Sequence, residues 1–148
     1  MDTERIRVPL AYGDERLEVW FPSDRTTIIE PAHRPGLPDE QATLLKALRN
    51  PIAGPPLREL AGSESRVAIS ICDVTRPMPT ARVLPVLLEE LDHVPRERIT
   101  ILVATGTHRV STRAELESMV GPEILGKYRV IDHDCRDASS LTFLGNTS

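Results

Sequence analysis

Two continuous apolar runs, one crossover apart, constrain the fold of this chain more than any other feature. They are RVAISI at 66–71 and ITILVA at 99–104, and they begin 33 residues apart. That interval holds a strand, a helix and the return to a neighbouring parallel strand. The runs do not alternate between apolar and polar residues, which is typical of strands covered on both faces. We therefore predict a right-handed βαβ unit in a parallel sheet.

The leucine-rich segment 81–94 between the runs predicts the crossover helix. Pro85 leaves its start open: if Thr80 is the cap, the proline removes an interior hydrogen bond, so the helix either kinks at Pro85 or begins there. After the second run, Thr112 and Glu115 have the spacing of a capping box, and Gly121 ends the helix that follows. A helical turn at 122–126 and a strand at 128–132 complete another βαβ unit, and SLTFLG at 140–145 is a further candidate strand.

The N-terminal third predicts a small antiparallel β entry, with strands at 5–10, 17–21 and 26–30. A proline-rich loop follows, and Asp39 can cap a helix that ends before Asn50. The predicted fold class is thus α/β: a parallel, Rossmann-like sheet with flanking helices and a short antiparallel β entry at the N-terminus. We expect a single domain over residues 1–148.

Composition excludes several classes of function. The chain is 40% apolar and 27% charged with a net charge of −4, as in soluble globular proteins, and its 3% aromatic content gives no stacking platform for nucleic acid. No run approaches the ~20 apolar residues of a membrane span. Only Lys46 and Lys127 are lysines, so arginines are expected to meet anions. Cys72 and Cys135, with no apolar segment after Met1, favour reduced thiols and a cytoplasmic location.

Polar residues gather directly after both predicted strands. CDVTRP follows the first strand and TGTHR follows the second. In an open parallel sheet, ligands bind beyond the carboxyl ends of the strands, and loops of adjacent strands lie about 5 to 10 Å apart. We therefore expect these two turns to face each other and to form a ligand site.

Each residue of the first turn also has a structural interpretation. Asp73 can cap the turn by accepting backbone hydrogen bonds, and Arg76 can be a solvated arginine whose stem covers apolar surface. Together with Thr75, however, they offer a guanidinium fork, a hydroxyl and an acceptor in a loop stiffened by Pro77 and Pro79. The combination favours a carboxylate or phosphate ligand.

The second turn contains a glycine and a histidine. Gly106 permits a positive φ or the close approach of a phosphate-bearing ligand. His108 is a candidate acid/base because imidazole exchanges protons near neutral pH, and it follows a strand. The other histidines, His33, His93 and His133, are interpreted as surface or capping residues. His133 and Cys135 are too close in sequence for a zinc site, so no metal ligand is assigned.

The two turns resemble the N-terminal region of the nickel-dependent lactate racemase family, in which D-x-T-R-P and T-G-T-H-R turns follow successive strands. Here they begin at Asp73 and Thr105, 32 residues apart. The flanking YGDERLEVWFP, ALRNPI and IDHDC also resemble the family, so the resemblance covers nearly the whole chain.

The resemblance implies a racemase or epimerase of 2-hydroxy acids that works by hydride transfer to a nickel-pincer nucleotide, a pyridinium mononucleotide carrying nickel. It implies that His108 is one of two catalytic histidines and that Arg76 binds the substrate carboxylate. Asp73 and Thr75 match the turn that meets the cofactor or orients that arginine, and the supporting cofactor loop is Thr105, Gly106 and Thr107. The expected partners are a small-molecule 2-hydroxy acid and the C-terminal domain of the same protein.

The chain also departs from the family. The second catalytic histidine, the lysine that carries the cofactor and the nickel-binding histidine belong to a glycine-rich segment with no counterpart in these 148 residues. The chain is therefore expected to hold half a site and to be inactive alone. Two other hypotheses stay open: a non-catalytic α/β module that binds a nucleotide or carboxylate anion, and a structural fragment whose rim is filled when a second domain docks.

Overall fold

The N-terminal residues form a β-hairpin, as their alternating pattern predicts. The computed structural model describes residues 4–146, and in it β1 (Arg5–Tyr12) pairs antiparallel with β2 (Glu15–Pro22). The chain reverses at Gly13, whose φ of +58° lies in the left-handed region. The strand predicted at 26–30 is wrong: within the described residues β1 and β2 pair only with each other, and an extended segment without a partner forms no ladder.

The chain divides into two compact units, one ending at Gly36 and the other beginning at Leu37. The hairpin belongs to the first unit, and the helices and parallel strands described below belong to the second. The single domain expected over residues 1–148 stays a prediction, because compactness does not show whether two units fold separately.

The second unit begins with two helices. Helix α1 (Glu40–Arg49) is capped by Asp39, whose carboxylate accepts a hydrogen bond from the Ala42 amide at 2.9 Å. It ends before Asn50, so the predicted cap and end are both confirmed. Helix α2 (Leu57–Leu60) is a single turn.

The parallel sheet has the predicted strands. It consists of β3 (Val67–Cys72), β4 (Ile99–Ala104) and β5 (Arg129–Asp132), which lie side by side in chain order. Both pairs are parallel, with Ile101 opposite Ile69 on one side and Val130 on the other. The βαβ interpretation of the two apolar runs is confirmed.

Helix α3 (Thr80–Glu90) connects β3 to β4 and settles the question of Pro85. The helix starts at Thr80 and continues through Pro85, which is exposed. Its ring therefore lies toward solvent, and the lost interior hydrogen bond leaves a carbonyl that water can reach.

Two helices connect β4 to β5: α4 (Arg113–Val120) and α5 (Pro122–Lys127), with Gly121 between them at a φ of +83°. The capping box of Thr112 and Glu115 is confirmed in both directions. The candidate strand at 140–145 is wrong, because a 3₁₀ turn at Ala138–Ser140 leads to irregular backbone up to residue 146. No helix in the described range 4–146 has both the length and the apolar character needed to cross a membrane.

The core lies between the sheet and its helices. Buried strand residues alternate along β4, where Ile99, Ile101 and Val103 are at most 1% exposed. They pack with Leu84 and Leu88 of α3. Burial of these side chains stabilises the unit by roughly 1.5 to 3 kcal/mol each.

The opposite face of the sheet differs from the prediction of strands covered on both sides. Ala68, Ser70 and Cys72 of β3 are exposed, and Leu102 of β4 is half-buried and outside the core cluster. Right-handed crossovers that always step in one direction place their helices on one face, which explains the difference. We call the other side the open face; its residues are Ala68, Ser70, Cys72, Thr100, Leu102, Ala104, Arg129 and Ile131.

A buried ion pair joins α1 to α3. The Glu90 side chain is 1% exposed, and one of its oxygens accepts hydrogen bonds from Arg49 Nε at 3.0 Å and Nη2 at 2.6 Å. These hydrogen bonds lower the pKa of Glu90, so the carboxyl is ionised where it is buried.

Candidate functional site

The two polar turns meet at the carboxyl edge of the sheet. Asp73 directly follows β3, and His108 lies four residues after β4. The strands are parallel neighbours whose last residues, Cys72 and Ala104, lie opposite each other. The Asp73 Oδ2 atom and His108 Nδ1 are 2.5 Å apart, which confirms that the turns face each other.

Asp73 is buried and uses both carboxylate oxygens. Oδ2 accepts the hydrogen bond from His108, while Oδ1 accepts from the Thr75 hydroxyl at 2.6 Å and from the Thr75 amide at 3.3 Å. The hydrogen bond from His108, followed by that from the Thr75 hydroxyl, lowers the pKa of Asp73. The capping interpretation of Asp73 is therefore correct, and the same carboxylate also orients a histidine.

The Asp73 contact defines the state of the His108 ring. An ionised carboxylate can only accept, so Nδ1 carries the proton and Nε2 holds the lone pair in the neutral imidazole. The side chain is 46% exposed, and no residue in the described range 4–146 hydrogen-bonds to Nε2. The ring lines a cleft of about 280 Å³ together with Thr75 and Ser111. A free imidazole nitrogen facing a cleft is the arrangement that a general base needs.

The loop that carries His108 is a tight turn. The His108 amide donates to the Thr105 carbonyl at 3.0 Å, and Gly106 within this turn has a φ of +59°. A side chain at Gly106 would have no atom within 4 Å of its Cβ, so glycine is needed here for its backbone conformation and not for space.

The Thr105 hydroxyl is already hydrogen-bonded within the protein. Its side chain is 2% exposed, and its hydroxyl donates a hydrogen bond to the His133 carbonyl, which follows β5. Thr107 and Gly106, by contrast, are exposed. Of the three residues predicted to form the cofactor loop, only these two are open to a ligand; contact of any of them with a cofactor stays a prediction.

Arg76 lies on the other side of Asp73. Its amide donates to the Asp73 carbonyl at 3.2 Å, and its guanidinium makes one long contact of 3.3 Å to the Thr75 hydroxyl. No carboxylate in the described part of the chain forms an ion pair with it, whereas Arg82 is paired with Glu40. Arg76 lines a separate cleft of about 300 Å³ with Thr80, so its fork is available to an anion.

Arg109 was not singled out by the sequence analysis, yet it holds the histidine loop in place. Its guanidinium donates to both oxygens of Glu115, with Nη2 to Oε1 at 2.7 Å and Nη1 to Oε2 at 2.9 Å. The hydrogen bond from Arg109 lowers the pKa of Glu115 to about 2. The capping-box glutamate, with an arginine six residues before it, was the signal that could have revealed this contact.

A larger cleft lies elsewhere in residues 4–146. About 590 Å³ in volume, it runs between α3 and α5 and is lined by Pro85, Leu88 and Tyr128 among others, with no histidine or arginine. Although it is larger than the clefts beside Asp73, its charged groups are Glu89, Glu123 and Lys127, and Lys127 is paired with Glu123. We therefore assign the candidate site to the carboxyl edge of the sheet, where Asp73 and His108 meet.

Within residues 4–146, no three His, Cys, Asp or Glu side chains are grouped to hold a metal ion.

Comparison with known proteins adds a family context. Residues 12–148 match the family model described as the lactate racemase N-terminal domain. The chain is 42% identical over 107 residues to the lactate racemase of Lactiplantibacillus plantarum, covering 72% of this chain and 25% of that protein. It is 28% identical over 143 residues to the lactate racemase of Thermoanaerobacterium thermosaccharolyticum, covering 93% of this chain and 33% of that protein.

A solved structure is similar as well. The lactate racemase apoprotein from Thermoanaerobacterium thermosaccharolyticum superposes with a TM-score of 0.74 at 28% identity, over 96% of this chain and 33% of that one. The chain thus spans a quarter to a third of the length of the curated relatives that it matches.

Proposed function

The chain belongs to the lactate racemase N-terminal domain family, and we propose that it supplies half of the active site of a 2-hydroxy-acid racemase or epimerase working by hydride transfer to a nickel-pincer nucleotide. The observation that carries the proposal is the Asp73–His108 pair at the carboxyl edge of the sheet, in the same turn as Arg76, which has no ion pair within residues 4–146. The proposal places this chain within a longer polypeptide, as in its relatives.

The residues present fit part of a nucleotide site. Thr107 carries an exposed hydroxyl, whereas the hydroxyl of Thr75 donates to Asp73 and can only accept a further hydrogen bond. The Gly106 turn lets the backbone approach a phosphate-bearing group. These groups would hold the nucleotide by hydrogen bonds. Neither lysine lines the clefts beside Asp73, so covalent attachment falls to the remainder of the polypeptide. When bound, the group would supply hydride-acceptor chemistry at the substrate C2.

His108 acts as a general base in this proposal. Nε2 accepts the proton of the substrate hydroxyl as the C2–H bond breaks, and Asp73 stabilises the imidazolium through Nδ1. If the C2–H bond forms again on the same face, the proton returns from His108; if it forms on the other face, the second base supplies the proton. A positioned acid/base group of this kind contributes about 10²- to 10⁴-fold to the rate.

Arg76 binds the substrate carboxylate in this proposal. A guanidinium offers two parallel N–H donors to a carboxylate, and this arginine has no competing ion pair in the described residues. The clefts that contain Arg76 and His108 share Asp73 and Val74. The proposal requires one small acid to place its carboxylate at Arg76 and its hydroxyl at His108 across these shared residues.

His108→Ala in the full-length racemase polypeptide tests the proposal. Racemisation should fall by at least about 10²-fold in both directions, because both directions use the same two bases. His33→Ala, at an exposed position in the first unit, is the matched control and should keep the native rate. The purified 148-residue chain should not racemise lactate. Near-native racemisation by the His108→Ala variant would contradict the role of His108.

A single-turnover measurement separates catalysis from binding. The His108→Ala variant should retain bound cofactor and should reduce it with only one enantiomer, the one served by the base on the opposite side. If the variant binds no cofactor and its circular dichroism spectrum is that of an unfolded chain, His108 has a structural role and the catalytic assignment is wrong.

A further inference from the structure

The outer edge of β3 is unusual for a free edge. Within the described residues β3 pairs only with β4, and its six residues, VAISIC, include no charge and no proline. Native proteins usually protect free edges with charges, prolines or short strands, because an open edge recruits another strand. β5, at the opposite edge, has four residues, and two of them are the charged Arg129 and Asp132. The edge of β3 therefore has the composition of an edge that is covered.

An apolar cleft runs beside this edge. It measures about 120 Å³ and lies between β3 and α3, with Ile69, Met78, Val83 and Leu87 among its lining residues. A strand added next to β3 would place alternate side chains in this cleft and extend the core by one row. The cleft thus matches the inward face of an additional strand.

The open face fits a helix. Ala68, Ser70 and Cys72 of β3 and Ala104 of β4 are small and exposed, which lets a helix approach the sheet closely. Parallel sheets occur almost only with both faces covered. One side of this sheet carries the helices, and the other carries none in the described residues.

The handedness of crossovers joins the two observations. β3, β4 and β5 follow one another across the sheet in chain order. Because each crossover steps in the same direction and is right-handed, the connecting helices lie on one face. A crossover that returns from β5 to the free edge of β3 runs in the opposite direction and puts its helix on the open face. A single helix–strand step would therefore cover both unpartnered surfaces.

We propose that a strand parallel to β3, preceded by a helix on the open face, completes this sheet, and that both come from the part of the racemase polypeptide outside the present chain. The matched relatives have room for them, since the chain covers 25% of one and 33% of the other. The helices would then change face between β3 and the added strand, the point at which α/β sheets bind ligands. Asp73 directly follows β3 at that point, and Arg76 lies in the same turn. The inference rests on family membership and topology, not on the proposed chemistry.

Thiol labelling of the full-length polypeptide tests the proposal. Ser70→Cys places a thiol on the open face, and Ala114→Cys places the control thiol on the exposed surface of α4. Both variants carry Cys72→Ser and Cys135→Ser, which remove the two thiols of these 148 residues, and labelling is read by peptide mass at position 70 or 114. In the native protein, maleimide should label Ser70→Cys at least about 100-fold more slowly than in urea, as for a buried position that opens rarely. Ala114→Cys should label rapidly in both conditions. Equal native rates at the two positions would overturn the proposal.

Amide hydrogen exchange of the unmodified sequence gives a second measurement that no substitution can disturb. Every amide of 67–72 should be protected in the full-length polypeptide, whereas rapid exchange at alternate residues would show a free edge and overturn the proposal. In the 148-residue chain, Ser70→Cys should label rapidly and light scattering should give a monomer. A dimer that protects Ser70→Cys would assign the open face to a second copy and contradict the proposal. Racemisation assays are independent of these outcomes.

Discussion

Asp73→Asn changes one atom type at the centre of the site and has a defined effect on His108. In the native protein, Oδ1 of Asp73 accepts from both the hydroxyl and the amide of Thr75, and Oδ2 accepts from His108 Nδ1. An asparagine has one accepting oxygen and one donating nitrogen. The oxygen must remain toward Thr75, because the backbone amide there needs an acceptor and cannot reverse. The donating nitrogen then faces His108.

This orientation reverses the imidazole tautomer. Nδ1 becomes the acceptor, the proton moves to Nε2, and the nitrogen that faces the cleft loses its lone pair. The expected loss of racemisation is about 10²- to 10⁴-fold, the full contribution of a general base. The same change beside the catalytic histidine of serine proteases costs about 10⁴-fold, for the same reason.

Two measurements test this argument. The ¹⁵N chemical shifts of the His108 ring report the tautomer directly in the 148-residue chain, and racemisation is measured in the full-length polypeptide. Asp137→Asn is a matched control, because Asp137 accepts from the hydroxyl and amide of Ser139 in the same kind of turn, at 2.6 and 3.0 Å, and no histidine of residues 4–146 hydrogen-bonds to its side chain. It should leave the tautomer and the rate unchanged. An Asp73→Asn variant that keeps Nδ1 protonated and remains fully active would refute the reasoning.

Three further predictions concern binding, packing and pH. Arg76→Lys should lower kcat/KM about 30-fold, equivalent to about 2 kcal/mol for a charge-assisted hydrogen bond, with Tm unchanged because the side chain makes one long contact; a native kcat/KM would exclude it from substrate binding. In urea unfolding, Leu84→Ala should cost about 2 to 5 kcal/mol, whereas the 95% exposed Leu144→Ala should cost less than about 0.5 kcal/mol, and equal losses would contradict the core assignment. The pKa of Glu115 is lowered from 4.5 to about 2, so its ionised form stabilises the fold above pH 4.5 and that contribution is lost as the pH falls toward 2. Glu115→Gln should therefore have a lower urea midpoint than the native chain at pH 7 and a similar one near pH 2; a constant difference would show that ionisation is not involved.

Local patterns predicted the elements of this fold well because the forces involved are local. The cap at Asp39, the capping box of Thr112 and Glu115 and the apolar runs each depend on residues within one turn or one strand. The strand predicted at 26–30 failed because a strand exists only with a partner, which no short stretch specifies. For the same reason, the apolar pattern of 140–145 did not produce a strand.

The site could be predicted only in part. Two turns at the carboxyl ends of neighbouring strands followed from topology. The sequence did not decide whether Asp73 caps its turn, contacts a cofactor or orients an arginine. Its partner His108 is 35 residues away, and only the register of β3 against β4 brings the two side chains together. The open face had a signal that was not used: in VAISIC the large residues face the helices, and the alternate residues are the small Ala68, Ser70 and Cys72.

The Glu115 carboxylate gives the histidine loop a mechanical property. One of its oxygens accepts from the Thr112 amide at 2.8 Å, where it starts α4, and both oxygens hold Arg109, the residue next to His108. The Arg109–Glu115 ion pair therefore links the histidine loop to the first turn of α4, and an outward movement of this loop would have to break that pair or fray the helix end. Because the imidazole is held before any ligand arrives, binding incurs little entropy loss from ordering this loop. Encounter with a small acid should then follow a single diffusional step, with no slow loop-closing phase.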